Sequence, residues 1–214
     1  MGIFITLEGP DGSGKTTQAH LLSRWLQKRG RDVVLTREPG GSDIGDQIRD
    51  ILHDSGNTAM APQTEFLLYS ASRAQHVSRL ILPSLKAGKV VISDRYTDSS
   101  LAYQGYGRGL DLEMLQEITA FATQGLQPDL TVYFDIAAGE GLERRLLGGG
   151  TWNRMDAEAL AFHQRVRAGY LELASAEPER WEVIDANRPI DDVQEDVRGT
   201  VLARLEANSR HETG

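Results

Sequence analysis

The chain has 214 residues and a formal net charge of −8, a length that suits one domain with or without a mobile insertion. With no cysteine it carries no disulfide framework, thiolate metal site, iron–sulfur cluster or cysteine nucleophile. The acidic balance argues against broad binding to nucleic acid or a membrane surface, either of which needs a basic face.

Short apolar runs alternate with longer amphipathic ones. Ile3–Leu7 reads as a strand, followed by a glycine-rich turn and a helix over Lys15–Lys28, whose Ala19, Leu21, Leu22, Trp25 and Leu26 share a broad apolar face before Gly30 ends it. Val33–Thr36 reads as the second strand, and Asp43–His53 and Pro62–Leu85 as helices. Lys89–Ser93 is a third strand, apolar enough at Val90, Val91 and Ile92 to be covered on both faces. A helix over Asp111–Thr123, a strand at Leu130–Asp135, a helix over Ala157–Ala174, a strand at Glu182–Asp185 and a closing helix over Ile190–Glu206 complete the reading. Strands separated by helices imply parallel pairing, so the expected fold class is α/β, a doubly wound parallel five-stranded sheet with helices on both faces. Residues 1–207 are expected to form one domain, with a small mobile lid at about 144–156 around Gly148-Gly149-Gly150 and a polar tail at 208–214. Apolar runs stay far short of the roughly 20 residues that span a bilayer. No signal peptide precedes the first strand, and Gly2, which formally fits a myristoylation pattern, is read as opening that strand; the expectation is a cytoplasmic protein.

Gly9-Pro10-Asp11-Gly12-Ser13-Gly14-Lys15-Thr16 fits the phosphate-binding pattern G-x-x-x-x-G-K-[ST], and it lies in the required place, between a strand and a helix. Glycines let successive backbone N–H groups turn inward, and these groups with the helix N-terminus hold phosphates. Lys15 is placed to reach the β- and γ-phosphates and the Thr16 hydroxyl to hold Mg²⁺. The loop alone does not separate kinases from switches, but the base-reading N-K-x-D of G proteins is absent.

Further polar residues gather at strand ends, where α/β sheets bind ligands. Arg37-Glu38-Pro39-Gly40-Gly41 closes the second strand, and Arg49 follows one helix later. Tyr69 and Arg73, spaced i, i+4, share a helix face; they suit either a nucleobase, one stacking and the other bonding its edge, or a core aromatic beside a salt-bridged arginine. Asp94-Arg95-Tyr96 ends the third strand, with Ser99, Ser100, Tyr103 and Gln104 close behind; a capping role for Asp94 or Asp98 is the alternative. There are 19 arginines against four lysines; arginine is the better residue for bidentate phosphate contacts, codon bias in a GC-rich genome is the alternative for the overall excess, and positions decide between them. The five histidines show no metal-binding spacing and are read as surface or packing residues, with His76 near Arg73 as a candidate support. Trp25 and Trp181 are read as core and Trp152 as part of the lid.

Together these motifs, with Tyr103-Gln104-Gly105 and Pro128-Asp129-Leu130 through Asp135, make the chain resemble the bacterial thymidylate kinases over residues 3–185. The resemblance implies transfer of the γ-phosphoryl group of MgATP to dTMP, giving dTDP and ADP. It implies that Gly9 through Thr17 and Arg144 bind ATP, and that Thr16 holds Mg²⁺ together with Asp94, the latter through water. It places Tyr69 on the thymine ring, Arg73 on its O4, Ser99, Ser100 and Gln104 beside it, and Tyr103 against the ribose 2′ position. Arg49 and Arg95 would clamp the acceptor phosphate, with Glu38 and Pro39 alongside and Asp11 near the sugar 3′-hydroxyl. Asp11, Lys15 and Arg95 would serve catalysis, and a small P-loop residue, Ser13, with arginines in the lid implies a transition-state arginine there, Arg154 in preference to Arg144 or Arg145. A homodimer through the Pro62–Leu85 and Asp111–Thr123 helices is implied as well, with no nucleic-acid or membrane partner. Two other readings remain, a P-loop kinase for a different nucleoside or monophosphate, and a nucleotide-binding switch without acceptor chemistry.

Overall fold

The computed structural model of the chain describes residues 2–148 and 153–211. Gly149, Gly150 and Trp152 of the expected lid, and the end of the expected tail from residue 212, lie outside the described residues.

Five strands, β1 (Ile3–Glu8), β2 (Val33–Arg37), β3 (Val90–Asp94), β4 (Leu130–Asp135) and β5 (Trp181–Asp185), pair in the order β2-β3-β1-β4-β5, every pair parallel. The chain leaves β1 toward one edge, returns through β3, then crosses to the other side of β1 with β4. The reversal opens a crevice at the carboxyl end of β1, the place where such sheets take ligands.

Alternation along β1 decides what each face packs against. Ile3, Ile5 and Leu7 point to the layer of α1 (Lys15–Lys28) and the closing helix Ile190–His211, where they meet Leu22, Leu26, Val193 and Val197. Phe4 points the other way, into a cluster with Val77, Ile81, Val91 and Tyr96. Truncating a fully buried residue such as Leu22 to Ala would cost about 2–5 kcal/mol. Thr6 and Glu8 share the Phe4 face and are also fully buried, so polar partners must be found for them there.

On that second face lie α2 (Asp43–His53), capped by the Ser42 hydroxyl on Gly45 N, and α3 (Pro62–His76). α3 runs on through a π-helical stretch, Val77–Ile81, into α4 (Leu82–Lys86), so the single helix read over Pro62–Leu85 is interrupted in register. The wide turn ends two residues before Pro83, which has no N–H to keep an i→i−4 ladder. α6 (Leu112–Thr123) is capped by Asp111, and α8 (Leu160–Ala176) starts three residues later than read. The closing helix continues past Glu206 to His211, into the segment read as tail.

Two helical segments went unread. Thr97–Ser100 (α5) continues as a π-helix over Leu101–Gly107, and Ala138–Leu147 (α7) follows β4; the closing helix is thus α9. Both segments hold glycines, which disfavour helix locally. Tertiary contact explains their presence: a Cβ on Gly107 would sit 2.7 Å from the Phe162 ring, and one on Gly141 would sit 2.9 Å from the Asp11 carbonyl.

Candidate active site

The turn between β1 and α1 carries the phosphate-binding pattern. Gly9, Gly12 and Gly14 all have positive φ (147°, 81° and 88°), a backbone path that only glycine takes at little cost. Lys15 Nζ donates to the Pro10 carbonyl at 2.8 Å and reaches Ser13 Oγ at 3.5 Å, which holds the ammonium over the loop. Burial, aided by Arg95, lowers the Lys15 pKa to about 8, with Asp11, Asp94 and Glu8 opposing. An incoming polyphosphate would supply the missing negative charge. Thr16 Oγ1 donates to Asp94 Oδ2 at 2.5 Å, joining the start of α1 to the end of β3. This hydroxyl–carboxylate pair offers the hard oxygen ligands that suit Mg²⁺, and no cluster of three His, Cys, Asp or Glu exists among the described residues. A magnesium ion here would take few protein ligands and depend on phosphate oxygens and water, as that ion does beside nucleotides.

A cavity of about 440 Å³ opens from this loop across the carboxyl end of the sheet. Asp11, Lys15 and Thr16 line its donor end. Glu38, Pro39, Arg49 and Tyr69 line it as well, together with Asp94, Arg95, Ser99, Ser100, Tyr103 and Gln104. Arg145, a lid candidate from the sequence, lines it too, as do His53, Asn153 and Met155, to which the sequence gave no site role. Burial and Arg49 lower the His53 pKa to about 4, so its ring is neutral at physiological pH.

Arg95 occupies the centre. Its Nη2 donates to Asp11 Oδ1 at 2.8 Å and Tyr103 Oη at 3.2 Å, and its Nη1 to Ser99 Oγ at 3.1 Å and Tyr170 Oη at 3.3 Å. Those two hydroxyls in turn donate to Glu8 Oε2 at 2.6 and 2.8 Å. Burial disfavours the Asp11 anion, yet Arg95 and Lys15 outweigh it and hold that carboxyl far below its usual range. Arg49 is fixed by a 2.9 Å bond from its Nη1 to the Pro39 carbonyl, beyond a cis Glu38–Pro39 peptide bond.

Arg73 lies behind the cavity wall rather than on it, only 1% exposed. Its Nε donates to Glu38 Oε2 at 2.7 Å, and its Nη2 donates to the Tyr96 carbonyl at 3.0 Å and Ser100 Oγ at 2.9 Å. Its Nη1 is buried without a partner among the described residues. A buried guanidinium donor left unpaired is costly, and two of its neighbours, Glu38 and Ser100, line the cavity. His76 braces this unit: Nδ1 lies 3.0 Å from Glu38 Oε1 and Nε2 lies 2.7 Å from Thr36 Oγ1. Because an ionised carboxylate only accepts, the proton sits on Nδ1.

The three lid arginines separate. Arg144 donates to the Ala186 carbonyl at 2.9 Å and to Asn187 Oδ1 at 2.6 Å, beyond the end of β5 and away from the cavity. Arg145 stands on the cavity wall and is paired with buried Asp156 at 3.1 Å. Arg154 is not on the wall; its Nη1 meets Glu65 at 2.5 Å, its Nε donates to the Leu52 carbonyl at 3.3 Å, and its Nη2 is buried without a partner among the described residues. Its neighbours Asn153 and Met155 both line the cavity. Trp181 is buried as read, while Trp25 is only partly covered, with Arg29 4.3 Å above its ring.

Sequence reasoning gave no role to Glu8, Tyr170 or Glu65. A charged residue ending an otherwise apolar strand was a signal for Glu8, and the i, i+4 spacing to Tyr69 was one for Glu65; Tyr170 carried none.

Comparison with known proteins bears on this geometry. A family model described as thymidylate kinase matches residues 7–197. A thymidylate kinase of Roseiflexus sp. (strain RS-1) is 52% identical over 224 residues, covering 100% of this chain and 99% of the relative. One of Geobacillus thermodenitrificans (strain NG80-2) is 50% identical over 211 residues, covering 98% and 94%. Among solved structures, thymidylate kinase from Ehrlichia chaffeensis superposes with a TM-score of 0.76 at 34% identity, covering 94% of this chain and 98% of that one.

Proposed function

The chain belongs to the thymidylate kinase family, and from that premise we propose how its residues share the work of the reaction. The enzyme transfers the γ-phosphoryl group of ATP, with Mg²⁺, to dTMP, forming dTDP and ADP. Residues 1–207 act as one kinase domain whose segment at about 144–156 serves as the lid.

The backbone of Gly9 through Thr17 and the Lys15 ammonium hold the donor phosphates, with Arg144 on the ATP side beyond β5. Thr16 holds the magnesium ion directly and Asp94 through water; when bound, the ion neutralises phosphate charge. Tyr69 stacks on thymine, with Pro39 packed alongside. Ser100 and Gln104 face the base edge, and Arg73 gives its unpartnered Nη1 to O4. Tyr103, beside Arg95, crowds the ribose 2′ position. Arg49 and Arg95 clamp the acceptor phosphate, Ser99 and Asp11 keep Arg95 in place, and Glu38 keeps Arg73 in place.

Both substrates are polyanions and the protein is acidic, so these local cations reverse the field inside the cleft. Little covalent chemistry falls to the protein: alignment of acceptor oxygen and γ-phosphorus, and stabilisation of spreading charge, supply the rate. A lid arginine contributes on the order of 10³–10⁵ in rate, about 4–7 kcal/mol. Arg154, with its buried unpaired Nη2, is assigned that task; to perform it, its side chain must move from Glu65 to the cavity.

The observation that carries this reading is the continuity of one cavity from Lys15 and Thr16 to Tyr69, Ser100 and Gln104, with Arg95 midway. Coupled ADP release measured over dTMP, dUMP, dCMP, dGMP and UMP tests it. ADP should appear in step with dTMP; equal ATP consumption with and without dTMP would overturn the assignment.

A homodimer through α3 and α6 belongs to the same reading. Its support is apolar exposure on those helices: Leu67 is 53% exposed, Met114 59% and Phe121 88%. The reading also places the enzyme in the cytoplasm, working on free nucleotides. No helix among the described residues is long and apolar enough to cross a membrane.

A further inference from the structure

Glu65 lies on α3, one turn before Tyr69, and is fully buried. Its oxygens receive four donors. Oε1 accepts from Gln104 Nε2 at 2.7 Å and Arg108 Nε at 3.2 Å, while Oε2 accepts from Arg108 Nη2 at 3.0 Å and Arg154 Nη1 at 2.5 Å. A carboxylate has about four acceptor positions, so this one is saturated and has no place for a proton of its own.

That saturation determines which way Gln104 points. An ionised carboxylate can only accept, so Gln104 must present its NH₂ to Glu65. Gln104 Oε1, which takes no hydrogen bond from the described residues, is left for the cavity that Gln104 lines. Across Ser100, four residues earlier on the same helical run, lies the unpartnered Nη1 of Arg73. The base site therefore offers one acceptor on its wall and, directly behind that wall, one unspent donor. A 4-oxo-pyrimidine matches both, with an N3–H for the acceptor and an O4 for the donor. Cytosine presents the opposite pattern, an unprotonated N3 and a 4-amino group, and mismatches both.

We propose that Glu65 is a specificity-positioning residue: by locking the amide of Gln104 with its oxygen toward the base, it makes the acceptor site read thymine and reject cytosine. The proposal rests on the assignment of dTMP to this cavity. The same carboxylate ties Arg108 and Arg154 to α3, which joins the base-reading wall to the lid segment that follows Asn153.

Glu65→Gln tests the idea with a defined sign. The guanidiniums of Arg108 and Arg154 can only donate, so the new amide turns its oxygen to them and its NH₂ to Gln104. Gln104 then reverses and shows its NH₂ to the base. The ratio of kcat/KM for dTMP over dCMP should fall at least tenfold, with KM for ATP within twofold of wild type. Glu65→Asp, still an acceptor only, should keep the ratio within threefold even if its Tm is lower. Glu158 still pairs with Arg108 in the glutamine variant, so Arg154 is the charge left without a carboxylate; should Glu65→Gln fail to fold, Glu65→Gln/Arg154→Gln removes that charge and should show the same fall in the ratio. A glutamine variant that keeps the ratio within threefold, or an aspartate variant that loses it, overturns the proposal. Wild-type protein without dTMP-dependent ADP release would instead remove the assignment of the substrate itself.

Discussion

Arg95 Nη2 donates to Asp11 Oδ1 at 2.8 Å, a contact across 84 residues of sequence that binds the phosphate loop to the end of β3. Arg95 holds it from a left-handed backbone (φ 73°), which costs a non-glycine residue on the order of 1–2 kcal/mol and persists only where surrounding contacts over-determine it. Here five side chains do so: Asp11, Tyr103, Ser99 and Tyr170 directly, and Glu8 through the last two. Asp11→Asn keeps the shape and weakens the anchor. In single-turnover measurements the phosphoryl-transfer step should slow about 10²-fold, while KM for dTMP stays within about threefold, because misplacement by an ångström is enough for such a loss.

Arg73 is joined to Glu38 by an ion pair with both partners at least 97% buried, and it keeps one donor unspent. Arg73→Lys retains the charge but has no planar fork to serve Glu38, Ser100 and a base together. Titration calorimetry should show dTMP binding weakened by roughly 10–100-fold, the worth of one or two charged hydrogen bonds. Unchanged affinity would leave Arg73 a structural residue.

Arg154 and Arg145 differ in what they hold at rest. Arg154→Ala should lower kcat by about 10³-fold with dTMP affinity nearly intact, since the arginine is assigned to the transition state alone. Arg145→Ala, which strips a partner from Asp156, should lower kcat less than Arg154→Ala does. The two variants assayed side by side decide the matter: turnover of Arg154→Ala within threefold of wild type would assign the role elsewhere.

Glu8 gives a pH signature. Burial and the Asp98 carboxylate, against the pull of Arg95, push its pKa from 4.5 up to about 7. The folded state thus binds the Glu8 proton more tightly than the unfolded chain does. Stability is lost on this account as pH rises from about 4.5 to about 7, and the penalty, up to about 3 kcal/mol, is fully present above that. Glu8→Gln stays neutral at every pH. The gain in Tm over wild type should therefore be larger by several degrees at pH 8 than at pH 5, read by calorimetry. The same difference at both pH values would show that Glu8 ionises in the ordinary range.

Much of the frame was legible along the chain. α1, α2 and β4 begin and end where periodicity puts them, because a helix face or a strand alternation is written within a few neighbours. The phosphate loop was legible for the same reason, since its glycines, Lys15 and Thr16 are contiguous. The π-helix over Leu101–Gly107 was not, because its two glycines and two tyrosines become helical only when Gly107 packs against Phe162. Arg73 was ambiguous from spacing: base reader and salt-bridged core residue were alternatives, and the structure has it paired to Glu38 with one donor to spare.

By itself the sequence determined the αβ alternation, the anion-binding turn and the residue types that a nucleotide site requires, since each depends on side chains close together in the chain. Tertiary structure alone decided which atoms of those residues remain available. The spare Nη1 of Arg73, the direction of the Gln104 amide and the rest position of Arg154 follow from partners 23 to 102 residues distant. A hydrogen-bonding group's capacity is finite, and only the folded neighbourhood shows how much of it has already been used.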